Sequence, residues 1–163
     1  MSLGLIDISD PNQRNVLSKF GQGAFYAFGT TATVLAHNVA EIVTVDTEGV
    51  DVCSWFTGNV FTPKQAGYYL LFGQATMMNA NNANFNNGTD HLALYLRKNG
   101  TVIGPTAYTG QKHSTLTCVV IAEANGTTDY FDLWALTDLG GAGQTAELTQ
   151  ASFGGVFVSY NNP

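Results

Sequence analysis

Three Asn-Gly pairs, Asn87-Gly88, Asn99-Gly100 and Asn125-Gly126, each stand between segments of β character. Both residue types tolerate the positive φ of a type I′ turn, so this pair is the strongest short signal for a β-hairpin. The flanking segments agree with that reading. His91 to Arg97 alternates and sets Leu92, Leu94 and Leu96 on one side. Tyr130 to Leu136 sets Tyr130, Asp132 and Trp134 opposite Phe131, Leu133 and Ala135. Leu116 to Ala122 is apolar and β-branched, and Phe153 to Tyr160 puts Phe153, Gly155 and Phe157 on one face. The run Tyr68-Tyr69-Leu70-Leu71-Phe72 is continuously apolar, as expected of a strand buried on both faces. Helical periodicity is nearly absent. The best helical candidate, Val34 to Val43, is short and contains Asn38 and β-branched residues. An antiparallel all-β domain of about eight to ten strands follows.

Composition narrows the class further. Charged residues make up 11% of the 163, with 6 Lys plus Arg against 12 Asp plus Glu and a net charge of −6. An ordinary domain carries roughly 25% charged residues. With 45% hydrophobic residues disorder is excluded, and the scarcity of Ala, Glu, Lys, Leu and Arg taken together excludes a coiled coil. A chain of this length reads as one folded domain that buries roughly 68–70% of its unfolded surface. Six dispersed cations cannot build the basic footprint that nucleic acid requires. No apolar run is long enough for a membrane-spanning helix, so no membrane partner is expected. Met1 to Asp7 has neither the cationic segment nor the apolar core of a secretory signal, which predicts synthesis and retention in a cytoplasm.

Chemistry-bearing patterns are few. Cys53 and Cys118, with His37, His91 and His113, form no zinc spacing. The two thiols read as small buried hydrophobes, with a disulfide as the sharper alternative. There is no Gly-x-Ser-x-Gly elbow and no phosphate loop, and no helix follows Gly140-Gly141-Ala142-Gly143 to supply a dipole. Asp129 and Asp132 form one acidic grouping, and Asp46, Glu48 and Asp51 another. The second would suit a loop-bound calcium ion, but a solvated acidic turn is the simpler reading. Asp90-His91 reads as a strand-start cap. No catalytic residue, metal or cofactor is expected, and the chain reads as a binding or structural module.

Two segments differ from the rest. Residues 1–19 lack a strand pattern and read as an N-terminal arm that docks on a neighbouring chain or as a flexible lead, leaving residues 20–163 for the β domain. Asn79 to Asn87 is a polar, Asn-rich stretch around Phe85, which reads either as a partner contact or as a half-buried ring at a hairpin tip.

From Ala24 to Tyr160 the chain resembles the globular heads of the complement-q and tumour-necrosis-factor-like jelly rolls. The resemblance rests on several blocks in order. Ala24 to Phe28 looks like the first aromatic strand. Ile42 to Asp46, then Gly58, Phe61, Thr62 and Pro63, matches the next block. Phe61, Gly67 and Tyr69 reproduce the family's Phe, Gly and aromatic spacing. Leu94 to Val102 around Asn99-Gly100 resembles its hairpin, and Phe153 to Phe157 its terminal aromatic-x-Gly strand. The chain departs from the pattern at Gly126-Thr127-Thr128-Asp129, where the family has Gly-Asp, and in its Asn-rich insertion. No calcium ligand set carries over.

This resemblance implies a ten-stranded jelly-roll sandwich and a homotrimer. Ten Phe, seven Tyr and two Trp exceed what one sandwich core readily hides, which agrees with a buried subunit contact. Phe25, Tyr69, Leu71, Tyr95, Phe153, Phe157 and Tyr160 are the candidates for that contact or for the core, and alternation cannot say which face is which. Low charge with abundant Gly, Ala, Thr and Asn is typical of virion proteins. The leading expectation is a trimeric decoration protein on a bacteriophage capsid, with the major capsid protein as partner. A receptor- or glycan-binding fibre tip, reading through loops 79–90 and 137–147, is the alternative. An excised extracellular complement-like head is the third.

Overall fold

The computed structural model describes residues 23–79, 90–111, 113–139 and 144–160, all of it strand, turn and loop. The strands are β1 (Phe25–Phe28), β2 (Thr33–Ala36), β3 (Ala40–Ile42), β4 (Thr47–Asp51), β5 (Phe56–Thr57), β6 (Val60–Phe61), β7 (Ala66–Asn79), β8 (His91–Lys98), β9 (Thr101–Thr109), β10 (His113–Asn125), β11 (Phe131–Asp138) and β12 (Thr145–Ser159). Among the described residues they form two six-stranded antiparallel sheets packed as a sandwich. The first runs β10-β7-β12-β1-β4 with β2 on β12, and the second runs β5-β6-β11-β8-β9 with β3 on β11. Neighbours in space are mostly distant in sequence, as a jelly roll requires.

The core is the sum of the alternations. Leu92, Leu94 and Leu96 of β8 and Phe131, Leu133 and Ala135 of β11 point inward from the second sheet. Phe25, Tyr69, Leu71, Met77, Leu148 and Phe153 meet them from the first. Each large side chain so buried contributes about 1.5–3 kcal/mol. Gly73 lets the layers close: a Cβ there would collide with the Leu133 methyl groups, so the β7 backbone itself serves as packing surface.

The turns divide in an instructive way. Asn99 (φ 51°) and Gly100 (φ 81°) form the expected two-residue hairpin between β8 and β9. Asn125-Gly126 does not form one, because β10 and β11 lie in different sheets and the segment between them crosses the sandwich. There the Asn125 carboxamide oxygen accepts from the N–H groups of Thr127, Thr128 and Asp129, which ties the crossover together. Asn87-Gly88 lies outside the described residues.

Two further expectations are corrected. Val34 to Val43 is not helical: Val34 and Leu35 join β2, and Ile42 joins β3 against Trp134. Its β-branched residues favour strands, and Asn38 takes the positive φ (55°) of the turn between them. Tyr68 to Phe72 is not buried on both faces. Tyr69 and Leu71 are buried, whereas Tyr68 is exposed and Leu70 and Phe72 are half-buried.

Candidate functional site

The site begins with that second face of β7. Register carries its outward side chains across the first sheet as continuous rungs. One rung reads Val119, Phe72, Gly154, Tyr26, Val50. The next reads Ile121, Leu70, Val156 and continues to Ala24 and Val52, where the Val52 N–H donates to the Ala24 carbonyl at 3.1 Å. Neither rung contains a charged side chain. Ile121 is 62% exposed and Val52 59%, with Val50, Val119 and Val158 close behind. The Tyr26 ring stacks 6.4 Å from Phe72 and lies 6.1 Å from Phe28. Gly154 makes that row possible, since a Cβ there would collide with the Phe72 ring lying across it. One step further the rung turns polar, with Thr117, Gln74 and Ser152. A contiguous apolar face of this kind is uncommon on a monomer and marks a surface that is covered in use.

Of the sequence candidates, Phe25, Tyr69, Leu71, Phe153 and Phe157 come together inside the sandwich. Phe25 stacks on Phe61 at 4.1 Å and meets Phe153 edge-on at 4.8 Å, and Tyr69 meets Phe157 at 5.4 Å. The Tyr69 hydroxyl donates to the Gln65 carbonyl at 2.9 Å, and burial pushes its pKa well up. Tyr160 is exposed with its ring on Phe157, and Tyr95 sits half-buried on the outer face of the other sheet. The residues missed are the alternate ones: Tyr26, Leu70, Phe72, Val119, Ile121 and Val156. A signal existed, because strands apolar at both parities cannot hide both in one core. Phe85 and residues 1–19 lie outside the described residues, as do 80–89 and 140–143 of the two loops.

The outer face of the second sheet is different. Asp132 of β11 pairs in register with Arg97 of β8, and Trp134 with Tyr95. Arg97 lays its guanidinium 4.0 Å over the Trp134 ring, and its Nε is also 4.0 Å from Asp132 Oδ1. Asp132 is 5% exposed. Burial raises its pKa, and the nearby Trp134 indole and Arg97 only partly offset this. Arg97 Nε, Asp132 Oδ1 and Trp134 Nε1 are buried, and the approaches of the guanidinium and the indole to the carboxylate fall short of good hydrogen-bond geometry. Burial likewise raises the Tyr95 phenol. Tyr108, 64% exposed, sits across from Ala93 with its ring edge-on to His91 at 6.0 Å.

The other acids are committed to local structure. Asp46 accepts from the Thr30 N–H at 2.8 Å, and this bond, with those from the hydroxyls of Thr31, Thr30 and Thr47, lowers its pKa to about 2. Asp51 accepts from the N–H groups of Cys53 and Phe56. Burial alone would raise Asp129, but Lys98 at 2.9 Å, the Asn99 carboxamide and the Asn125 N–H outweigh it and lower its pKa. Among the described residues no three His, Cys, Asp or Glu side chains converge on a metal position. Cys53 and Cys118 are free thiols. Cys118 is buried, which pushes its pKa up to about 11. No described helix is long and apolar enough to cross a membrane.

No family profile and no curated protein matches the sequence. Solved structures do match the fold. The globular domain of zebrafish complement 1qA superposes with a TM-score of 0.58 at 14% identity, over 85% of this chain and 99% of that one. Murine APRIL gives 0.54 at 11% identity, over 83% and 99%. The PRD1 vertex protein P5 gives 0.51 at 12% identity, over 83% of this chain and 73% of that one. The chain thus has the complement-q and tumour-necrosis-factor-like jelly-roll fold, to which a vertex protein is also similar.

Proposed function

We propose that this chain is a non-enzymatic structural protein of a virion, a homotrimer closed through the outer face of the first sheet and bound to a bacteriophage capsid as a decoration protein. The uncharged rungs through Phe72 and Leu70 carry the proposal. Association costs about 4–15 kcal/mol in lost freedom. Two rungs with no charge to desolvate and with β-branched side chains are well suited to offset that cost, with Glu123 left at their margin. The viral setting draws support from the likeness to a phage vertex protein. Because fold alone does not fix function, the apolar face weighs more than that likeness. In this reading residues 1–19 dock on the major capsid protein, and Phe85 is a second contact.

Three measurements test it. Light scattering at micromolar concentration is expected to give three times the chain mass of 17.4 kDa, and a monomer there overturns the trimer. Co-sedimentation with expanded capsids lacking this protein is expected to show binding that is lost on deleting residues 2–19. Equal binding by the truncated chain overturns the docking arm. Adsorption to host cells in competition with intact phage, without capsid binding, would overturn decoration in favour of a fibre tip.

A further inference from the structure

We propose that the outer face of the second sheet is a saccharide-binding platform centred on Asp132, Arg97 and Trp134 and flanked by Tyr108. The site goes beyond the assembly role. It would face away from the three-fold contact, but it does not need the trimer to exist.

Three polar atoms stand on adjacent strands at register-paired or alternate positions. Asp132 Oδ1 is an acceptor, and Arg97 Nε–H and Trp134 Nε1–H are donors. All three are buried and none makes a hydrogen bond of good geometry among the described residues, although the Arg97 charge and the Trp134 indole both act on the carboxylate. Each such group costs about 1–3 kcal/mol if it stays unsatisfied. Arg97 is held 4.0 Å from the carboxylate, beyond good hydrogen-bond range. Arg97 is also a cover that can move, because its side chain is long, 22% exposed and stacked on the indole rather than locked to the acid. Swung aside, it uncovers the indole face and the carboxylate together.

The exposed groups select the occupant. A hydroxyl is donor and acceptor at once, so vicinal hydroxyls satisfy Asp132 Oδ1 and the Trp134 Nε1–H together with one ligand once Arg97 has moved. The C–H face of a sugar ring packs on an aromatic ring, and the indole of Trp134 and the exposed ring of Tyr108 offer such surfaces. An aliphatic protein surface would cover the rings and leave the three polar atoms unsatisfied. A polyanion would be repelled by Asp132 and by the net charge of −6. The ligand class is therefore a neutral saccharide, bound weakly by one protomer and tightly by several copies acting together.

The test uses the full chain carrying Trp55→Phe, so that Trp134 is the sole indole fluorophore. It is titrated with neutral oligosaccharides of glucose, galactose and N-acetylglucosamine and screened on an immobilised glycan array. Saturable quenching with at least one of them, and retention on the matching array spots, is the expected result. Tyr108→Ala, an exposed position whose change leaves the fold intact, should weaken binding about five-fold, and Asp132→Asn should weaken it further. Absence of saturable quenching and of array retention overturns the proposal, as does unchanged binding in both variants. Light scattering on the same samples separates the two readings: a monomer that still binds sugar breaks only the trimer, and a trimer that binds none breaks only the platform.

Discussion

The two outer faces of the sandwich come from the same kind of sequence but are built for different surroundings. That of the first sheet has two rungs without charge, from Val119 to Val50 and from Ile121 to Val52, bounded by Thr117, Gln74 and Ser152 on one side and by Glu123 and Tyr68 on the other. That of the second sheet embeds Arg97 and Asp132 among Tyr95, Trp134 and Tyr108, with polar atoms left unmatched. A face without charge gains from being covered by anything apolar of matching shape. A face with buried, unpaired donors and acceptors gains only from a partner that matches them. The first is suited to self-association and the second to recognition.

The two faces would prove alike if added charge on the first did nothing. Ile121→Lys combined with Val158→Lys should convert the trimer to monomer in light scattering while circular dichroism stays unchanged, because both side chains are exposed in the protomer. Gly154→Val should cost about 1–3 kcal/mol in urea unfolding, since the new side chain displaces the Phe72 ring from the row it shares with Tyr26. On the other side, Asp129→Asn should cost about 1–2 kcal/mol, as it weakens the bonds from Lys98 and the Asn125 N–H that pin the hairpin turn to the crossover. Asp129 has a lowered pKa in the fold, so its contribution is present above the ordinary carboxylate value of 3.8 and is lost as pH falls through the lower folded value.

The smallest effect is the sharpest contrast. Asp132→Asn should stabilise the chain at neutral pH by up to about 1 kcal/mol, because a poorly paired buried charge is removed. The sign is opposite to that of Asp129. The raised pKa of Asp132 means that its contribution is largest below 3.8 and declines as pH rises through the folded value. In urea unfolding across the acid range, the stability gained by Asp132→Asn over the parent chain should therefore grow as pH rises through the folded value of Asp132, the difference cancelling the opposite contributions of Asp46 and Asp129. A destabilised Asp132→Asn variant would mean that the Arg97 pair is stronger than its 4.0 Å separation allows.

Much of this was legible in the chain. The alternation of β8 and β11 set Leu92, Leu94 and Leu96, and Phe131 and Leu133, each on one side of its strand, which the fold turns to the core, and Asn99-Gly100 marked one hairpin. Asp132 and Trp134 were readable as sharing a face, but their meeting with Arg97 was not, because the register between β8 and β11 spans the turns and the crossover between them. Asn125-Gly126 misled for a related reason: the pair favours a tight turn, and a turn of that kind also serves where the chain leaves one sheet for the other. The run Tyr68 to Phe72 hid the apolar outer face of the first sheet. Where every residue is apolar, a period of two marks no side, and the buried Tyr69 and Leu71 are indistinguishable from the outward Tyr68, Leu70 and Phe72.

Turn chemistry and alternation are local properties that each segment carries alone, and they were enough to specify an antiparallel all-β chain; the jelly-roll type came from the resemblance of its motif blocks to the complement-q and tumour-necrosis-factor-like heads. Which parity of β7 and β10 faces the core, and which charged pair the second sheet holds beneath its rings, emerged only on folding. Those outcomes depend on the pairing of strands far apart in the chain, and on whether the space between the two sheets admits one row of side chains or the next.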